Sequence, residues 1–261
     1  MAESLASRFG KTRLILVYLS INYFIVFLDV FIAHSKNNLF PIYEWIPIIF
    51  TPLGGLTAIL LLIIPNHHWS KTIYMLVNAL GVIIGVLGFG FHLQGAAVSS
   101  TVSFTGLINT NPVFAPLAFI ALGGIGIIAG MNGLNTRRLL IVISFWFFVT
   151  AIIAYFDHAI TNFTNIYTWI PIYIGIFAAI VVLLHAYSKQ DKGLDSLLLA
   201  TIIISVVVGI LGFAFHLNAD LAGRGTIVWT KIFYQAPFLA PLLYADLGIW
   251  IAIILFYRNT L

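Results

Sequence analysis

The sequence predicts an all-α integral membrane protein of eight transmembrane helices. These are expected to form two parallel four-helix repeats, with both termini cytoplasmic. Three observations carry that expectation. Hydrophobic residues make up 61% of the chain and charged residues only 8%, with a mean hydropathy of +1.07. A soluble domain carries about a quarter charged residues, so lipid must solvate much of this surface. Eight apolar runs are long enough to cross a bilayer, and blocks from the first half return in the second.

A hydrocarbon core about 30 Å thick takes roughly 20 helical residues. Runs of that size fall at 13–34, 43–64, 72–93, 112–131, 139–160, 166–187, 197–217 and 236–257. They are continuous rather than alternating, which argues against strands, and lipid admits only helices or closed barrels. Arg8, Lys11 and Arg13 precede the first run, as they would in a signal peptide. That run is too long for such a segment, holds Asn22 and Asp29, and lacks a clear cleavage site, so it reads as a retained first span. Pro41, Pro65-Asn66, Asn111-Pro112, Asn132-Gly133 and the polar stretch 188–196 punctuate the rest.

The duplication divides the chain into repeats at 1–134 and 135–261. Gly85-Val-Leu-Gly-Phe-Gly-Phe-His92-Leu93 returns 124 residues later as Gly209-Ile-Leu-Gly-Phe-Ala-Phe-His216-Leu217. The block from Ile42 to Ile48 returns at Ile166 to Ile172, again after 124 residues, with Trp-Ile-Pro in common. Pro112-Val-Phe-Ala-Pro116 returns as Pro237-Phe-Leu-Ala-Pro241 at a spacing of 125. Four spans per repeat is an even number, so the halves should be related by a pseudo-twofold axis along the membrane normal.

Orientation follows from Lys and Arg. With the N-terminus inside, the inner side holds Arg8, Lys11, Arg13, Lys71, Arg137, Arg138, Lys189, Lys192 and Arg258, and the outer side Lys36, Arg224 and Lys231. Nine against three puts both termini in the cytoplasm, with the plasma membrane the expected location. The outer connections 94–111 and 218–235 are 18 residues each. They are expected to be the surfaces that meet other membrane subunits, with Trp229, Phe233 and Tyr234 at the interface. Asn162-Phe-Thr164, also on the outer side, matches a short glycosylation pattern.

The candidate site residues are those found in both halves. His92 and His216 end the third and seventh spans, and the glycines four and seven residues earlier share their helix face. Those glycines read mainly as small-xxx-small packing, the alternative being a smooth strip for a macrocycle. Asp29 and Asp157 lie near the outer ends of the first and fifth spans, with Asn22 and Thr150 seven residues before them. His34 and His158 complete the set. Aligning the repeats by these histidines offsets the aspartates by four residues, and the residues alone leave open which alignment is physical. Two imidazoles and a carboxylate form a ligand set used by zinc and non-haem iron, and imidazole also suits copper. Four histidines could instead be axial ligands of haem b, or Asp–His pairs could relay protons.

The leading expectation is therefore a metal or haem site at the outer face, in redox work, metal handling or an accessory role in a membrane complex. One alternative is a secondary transporter coupled through Asp29, Asp157 and Asp246, with Asn22 and Thr150 along the route. Another is a purely structural subunit. His67-His68 and His185 read as solvated inner-side residues, and Glu44 as a helix N-terminal acid. The net charge of +4 lacks a basic run interleaved with aromatics, which excludes a nucleic-acid partner. With no cysteine there is neither a disulfide nor a thiolate site.

Overall fold

The apolar runs fold as helices, and the punctuation falls between them. The protein is described by a computed structural model at residues 2–35, 42–98, 101–109, 112–131, 135–188, 192–221 and 237–256. α1 (Ala2–Ser35) begins well before the expected Arg13, since apart from Gly10 nothing in its first turns disfavours a helix. A 3₁₀ turn at Ile42–Glu44 leads into α2 (Trp45–Ile63), and a second at Ile166–Thr168 leads into α7 (Trp169–Tyr187). Pro47 and Pro171 sit in the first turns of these two helices, where the missing N–H has no helical acceptor to serve. α3 (His68–Gly95) runs into a hairpin of β1 (Ala97–Val98) and β2 (Thr101–Val102), followed by α4 (Phe104–Asn109). α5 (Leu117–Gly130) and α6 (Thr136–Ala159) follow, the latter capped by the Asn135 side chain accepting from the Arg138 amide at 3.0 Å. α8 (Lys192–Leu221) and α9 (Leu242–Phe256) complete the described chain.

Among the described residues, six helices are long and apolar enough to cross a membrane, those containing α1, α2, α3, α6, α7 and α8. The chain thus has the helices of an integral membrane protein. The two remaining expected spans, 112–131 and 236–257, are shorter: helix begins only at Leu117 and Leu242. Their prolines are the reason. In a continuous helix the Pro112 carbonyl would accept from residue 116, but Pro116 has no N–H, and Pro237 faces Pro241 in the same way. Each carbonyl instead closes a tighter turn, accepting from Ala115 at 3.2 Å and from Ala240 at 3.1 Å. The Trp229, Phe233 and Tyr234 segment lies outside the described residues.

α1, α5, α6 and α9 form the centre, where Leu19, Tyr23, Ile125, Ile143, Phe147, Trp250 and Ile251 are buried. α2 packs on α1 and α7 on α6, while α3 packs on α5 and α8 on α9. The halves meet through α5 against α6 and α1 against α9. Ser20 Oγ donates to the Gly55 carbonyl at 3.1 Å, and 124 residues on Ser144 Oγ donates to the Ala179 carbonyl at 2.7 Å. These bonds follow the histidine alignment of the halves rather than the aspartate one.

The two ends of the bundle differ in chemistry. At one, Lys11 Nζ donates to Thr136 Oγ1 at 3.1 Å and the Arg137 guanidinium lies 4.1 Å from the Tyr187 ring centre. His185 also lies there. It is not solvated as expected: it is buried, with Nδ1 3.5 Å from the Asp195 carboxylate. His67 and His68 are exposed. The opposite end carries His34, His92, His158 and His216.

Candidate functional site: paired histidines

Three local features bring the histidines into position. α1, α3, α6 and α8 all end at the same face of the bundle, so a histidine in the last turns of each arrives at one level. α3 then lies against the start of α5, and α8 against the start of α9, through the glycine strips. A Cβ on Gly88 would meet Pro116 Cβ at 3.0 Å, and one on Gly212 would meet Pro241 Cβ at 2.7 Å. The strips are therefore helix-packing surfaces filled by proline.

That packing carries each histidine to the proline carbonyl that has no helical donor. His92 Nδ1 lies 2.9 Å from the Pro112 oxygen and His216 Nδ1 3.3 Å from the Pro237 oxygen. A carbonyl only accepts, so the proton sits on Nδ1 in both rings and the lone pair is on Nε2. His34 behaves likewise, donating from Nδ1 to the Glu44 carbonyl at 3.0 Å. A backbone carbonyl on one ring nitrogen is the usual arrangement behind a histidine that ligates metal through the other.

The four rings form two pairs. His34 and His92 stand with ring centres 6.5 Å apart, and His158 and His216 6.1 Å apart. An imidazole nitrogen holds a transition metal at about 2.0–2.1 Å, so two rings on opposite sides of one ion stand roughly 6 Å apart. Comparison with known proteins finds no matching family model, curated protein or solved structure. The site is therefore judged on its own geometry.

Asp29 and Asp157 do not complete the histidine pairs. They lie within electrostatic reach of each other, each near the end of its helix. Among the described residues, no three His, Cys, Asp or Glu side chains converge to hold one ion, so the expected two-histidine, one-aspartate set is not assembled. Different carboxylates approach the imidazoles: Glu44 is in electrostatic reach of His92, and Asp220 of His216. Glu44 stood in the sequence as a helix N-terminal acid, and Asp220 escaped notice. Neither has an acidic partner in the other half, which was the signal that drew attention to the rest.

Asp246 lies at the junction of α1 and α9, surrounded by the Tyr18, Asn22 and Trp250 side chains. Tyr18 donates to the Asp246 carbonyl at 3.3 Å and packs edge-on against Trp250 with ring centres 4.8 Å apart. Asn22 also donates to the Tyr18 carbonyl of its own helix at 3.0 Å. Thr150 does not join this group; it bonds the Trp146 carbonyl one turn back at 2.8 Å.

The connection 94–111 is partly folded onto the second half. Phe104 lies 5.9 Å from Phe156, and Phe114 5.1 Å from the same ring, distances typical of packed aromatic pairs. Of 218–235, residues 222–235 lie outside the described residues. Asn162 is described, in a turn where it and Phe163 both have φ of 51° and Phe163 stacks on Trp169 at 4.4 Å.

Proposed function

We propose that this chain is a polytopic membrane protein that binds a transition-metal ion, copper, iron or zinc, at two histidine pairs, one in each half. It serves redox chemistry or metal handling, alone or as an accessory subunit of a membrane complex. The observation that carries the reading is the anchoring of His92 and His216 by Nδ1 to Pro112 and Pro237, which leaves Nε2 as ligand beside a second imidazole in each half. The proposal includes eight spans in two parallel repeats. Its support is the recurrence of the serine bonds, the proline turns and the histidine pairs at offsets of 124 or 125 residues. Since the sequence assigns nine of twelve Lys and Arg residues to the side opposite the histidines, the reading includes an outward histidine face and cytoplasmic termini, in the plasma membrane.

A bare ion has more support than haem b, because the glycine strips that would seat a macrocycle are filled by Pro116 and Pro241. Transport through Asp246 has less support, because Asp246, Tyr18 and Asn22 form a closed group and Thr150 is engaged on its own helix. Metal analysis and oxidised and reduced spectra of purified protein test the reading. Two ions per chain in the wild type and none in the His92→Ala, His216→Ala double variant are expected. Metal far below one per chain, or a Soret band, would overturn it.

A further inference from the structure

The halves share their histidines but not their carboxylates. Glu44 ends the 3₁₀ turn before α2, where its carbonyl receives the His34 Nδ1 proton at 3.0 Å. Its carboxylate is in electrostatic reach of His92, the other ring of the same pair, and its Oε2 is closed off from solvent. The position 124 residues later is Thr168. In the second half the arrangement is reversed. Asp220 lies four residues beyond His216, one turn on along the same face of α8. It is fully buried, with both carboxylate oxygens closed off and within electrostatic reach of His216. The position 124 residues earlier is Ala96, equally buried. The whole chain has only eight acidic residues, yet each histidine pair has one beside it, drawn from unmatched positions.

We propose, resting on the metal reading above, that Glu44 and Asp220 are the positioning residues that set the charge of the two histidine pairs separately. Each site thereby becomes a cation site, and the two become inequivalent. The carboxylates act from outside the coordination shell, since among the described residues no three such groups converge on one point. A negative charge beside an imidazole–metal unit offsets the positive charge the ion brings in, and screening is weakest at the fully buried Asp220 and weaker than in water at the half-buried Glu44. Partners just outside the shell commonly govern affinity by about 10–100-fold. The unequal placement matters as well. Glu44 belongs to the 3₁₀ turn before α2, on a different element from His92, whereas Asp220 stands on α8 itself, four residues beyond His216. Identical ligand sets therefore sit in different fields.

The test is titration of the purified full-length protein with zinc alone, against a competing chelator, with size-exclusion and melting profiles as folding controls. The wild type should give two distinct affinities. Glu44→Gln should weaken one site by about 10–100-fold and leave the other unchanged, Asp220→Asn should do the converse, and Glu44→Asp should stay near wild type. If Asp220→Asn fails to fold, Ala96→Asp in the Glu44→Gln background takes its place and should restore the weakened site. Two unchanged zinc affinities in Glu44→Gln and Asp220→Asn would overturn the inference while leaving the metal reading intact. A wild type that binds no zinc, copper or iron would overturn both.

Discussion

His92 owes its orientation to a residue that cannot donate a hydrogen bond. Pro116 leaves the Pro112 carbonyl without its helical partner, and the imidazole takes that place at 2.9 Å. The structural role of the ring and the ligand role proposed for it therefore fall on different nitrogens and can be separated by substitution. In His92→Asn the amide nitrogen stands near the former Nδ1, so the bond to Pro112 survives and the ligand is lost. Thermal unfolding of that variant should match the wild type, whereas His92→Leu should lose about 1 kcal/mol, the usual worth of one such bond. On the proposed metal reading, both should lose metal at the first histidine pair. The paired histidines were legible in the sequence because each recurs at a spacing of 124 residues. Glu44 and Asp220 were not, because Thr168 and Ala96 stand at the matched positions. Asp29 and Asp157 carried the same duplicate signal as the histidines, yet among the described residues they complete no three-ligand cluster with the rings and lie within electrostatic reach of each other. Proximity in sequence to a histidine says little about helix face: Asp157 and His158 are adjacent residues and point about 100° apart.

Helix contacts explain why the glycines recur with the histidines. A Cβ at Gly85 would stand 2.9 Å from the Ile120 amide nitrogen and 3.0 Å from the Pro116 carbonyl oxygen, both backbone atoms. At Gly209 the corresponding neighbours are the Ala245 nitrogen at 2.6 Å and the Pro241 oxygen at 3.1 Å. Backbone cannot rotate away, so Gly85→Ala should force α3 off α5 and lower stability by about 1–3 kcal/mol, read as the unfolding midpoint in detergent. Gly90, on the same helix with nothing within 4 Å of a Cβ, supplies the contrast. Gly90→Ala should raise stability by up to about 1 kcal/mol through helix propensity alone. The spacing of these glycines was readable as packing, but the surface they pack against was not. It is made by the proline turns that open α5 and α9, where composition alone suggested unbroken spans.

The whole molecule was the most legible level, because a chain with 61% hydrophobic residues has few ways to satisfy its backbone. The described helices agree with that at six positions of spanning length. Sidedness can be measured directly, since the chain has no cysteine and a single introduced one reports without background. Thr161→Cys, in the exposed turn after α6, should react with a membrane-impermeant maleimide added to intact cells. Ser196→Cys, in the exposed first turn of α8, should react only after the membrane is opened. The reverse pattern would invert the molecule and place the histidines on the cytoplasmic side.

The seating of Phe114 and Phe104 against Phe156 also bears on the order in which the protein is made. Phe156 lies 42 residues after Phe114, so at roughly 5–20 residues per second the ribosome adds it about 2–8 seconds later. During that interval the aromatic surface that receives the first half does not exist. The turn whose carbonyl holds His92 must then wait for a helix of the second half before it is braced on both sides. The packing around the turn that holds His92 is thus completed only once α6 has been made.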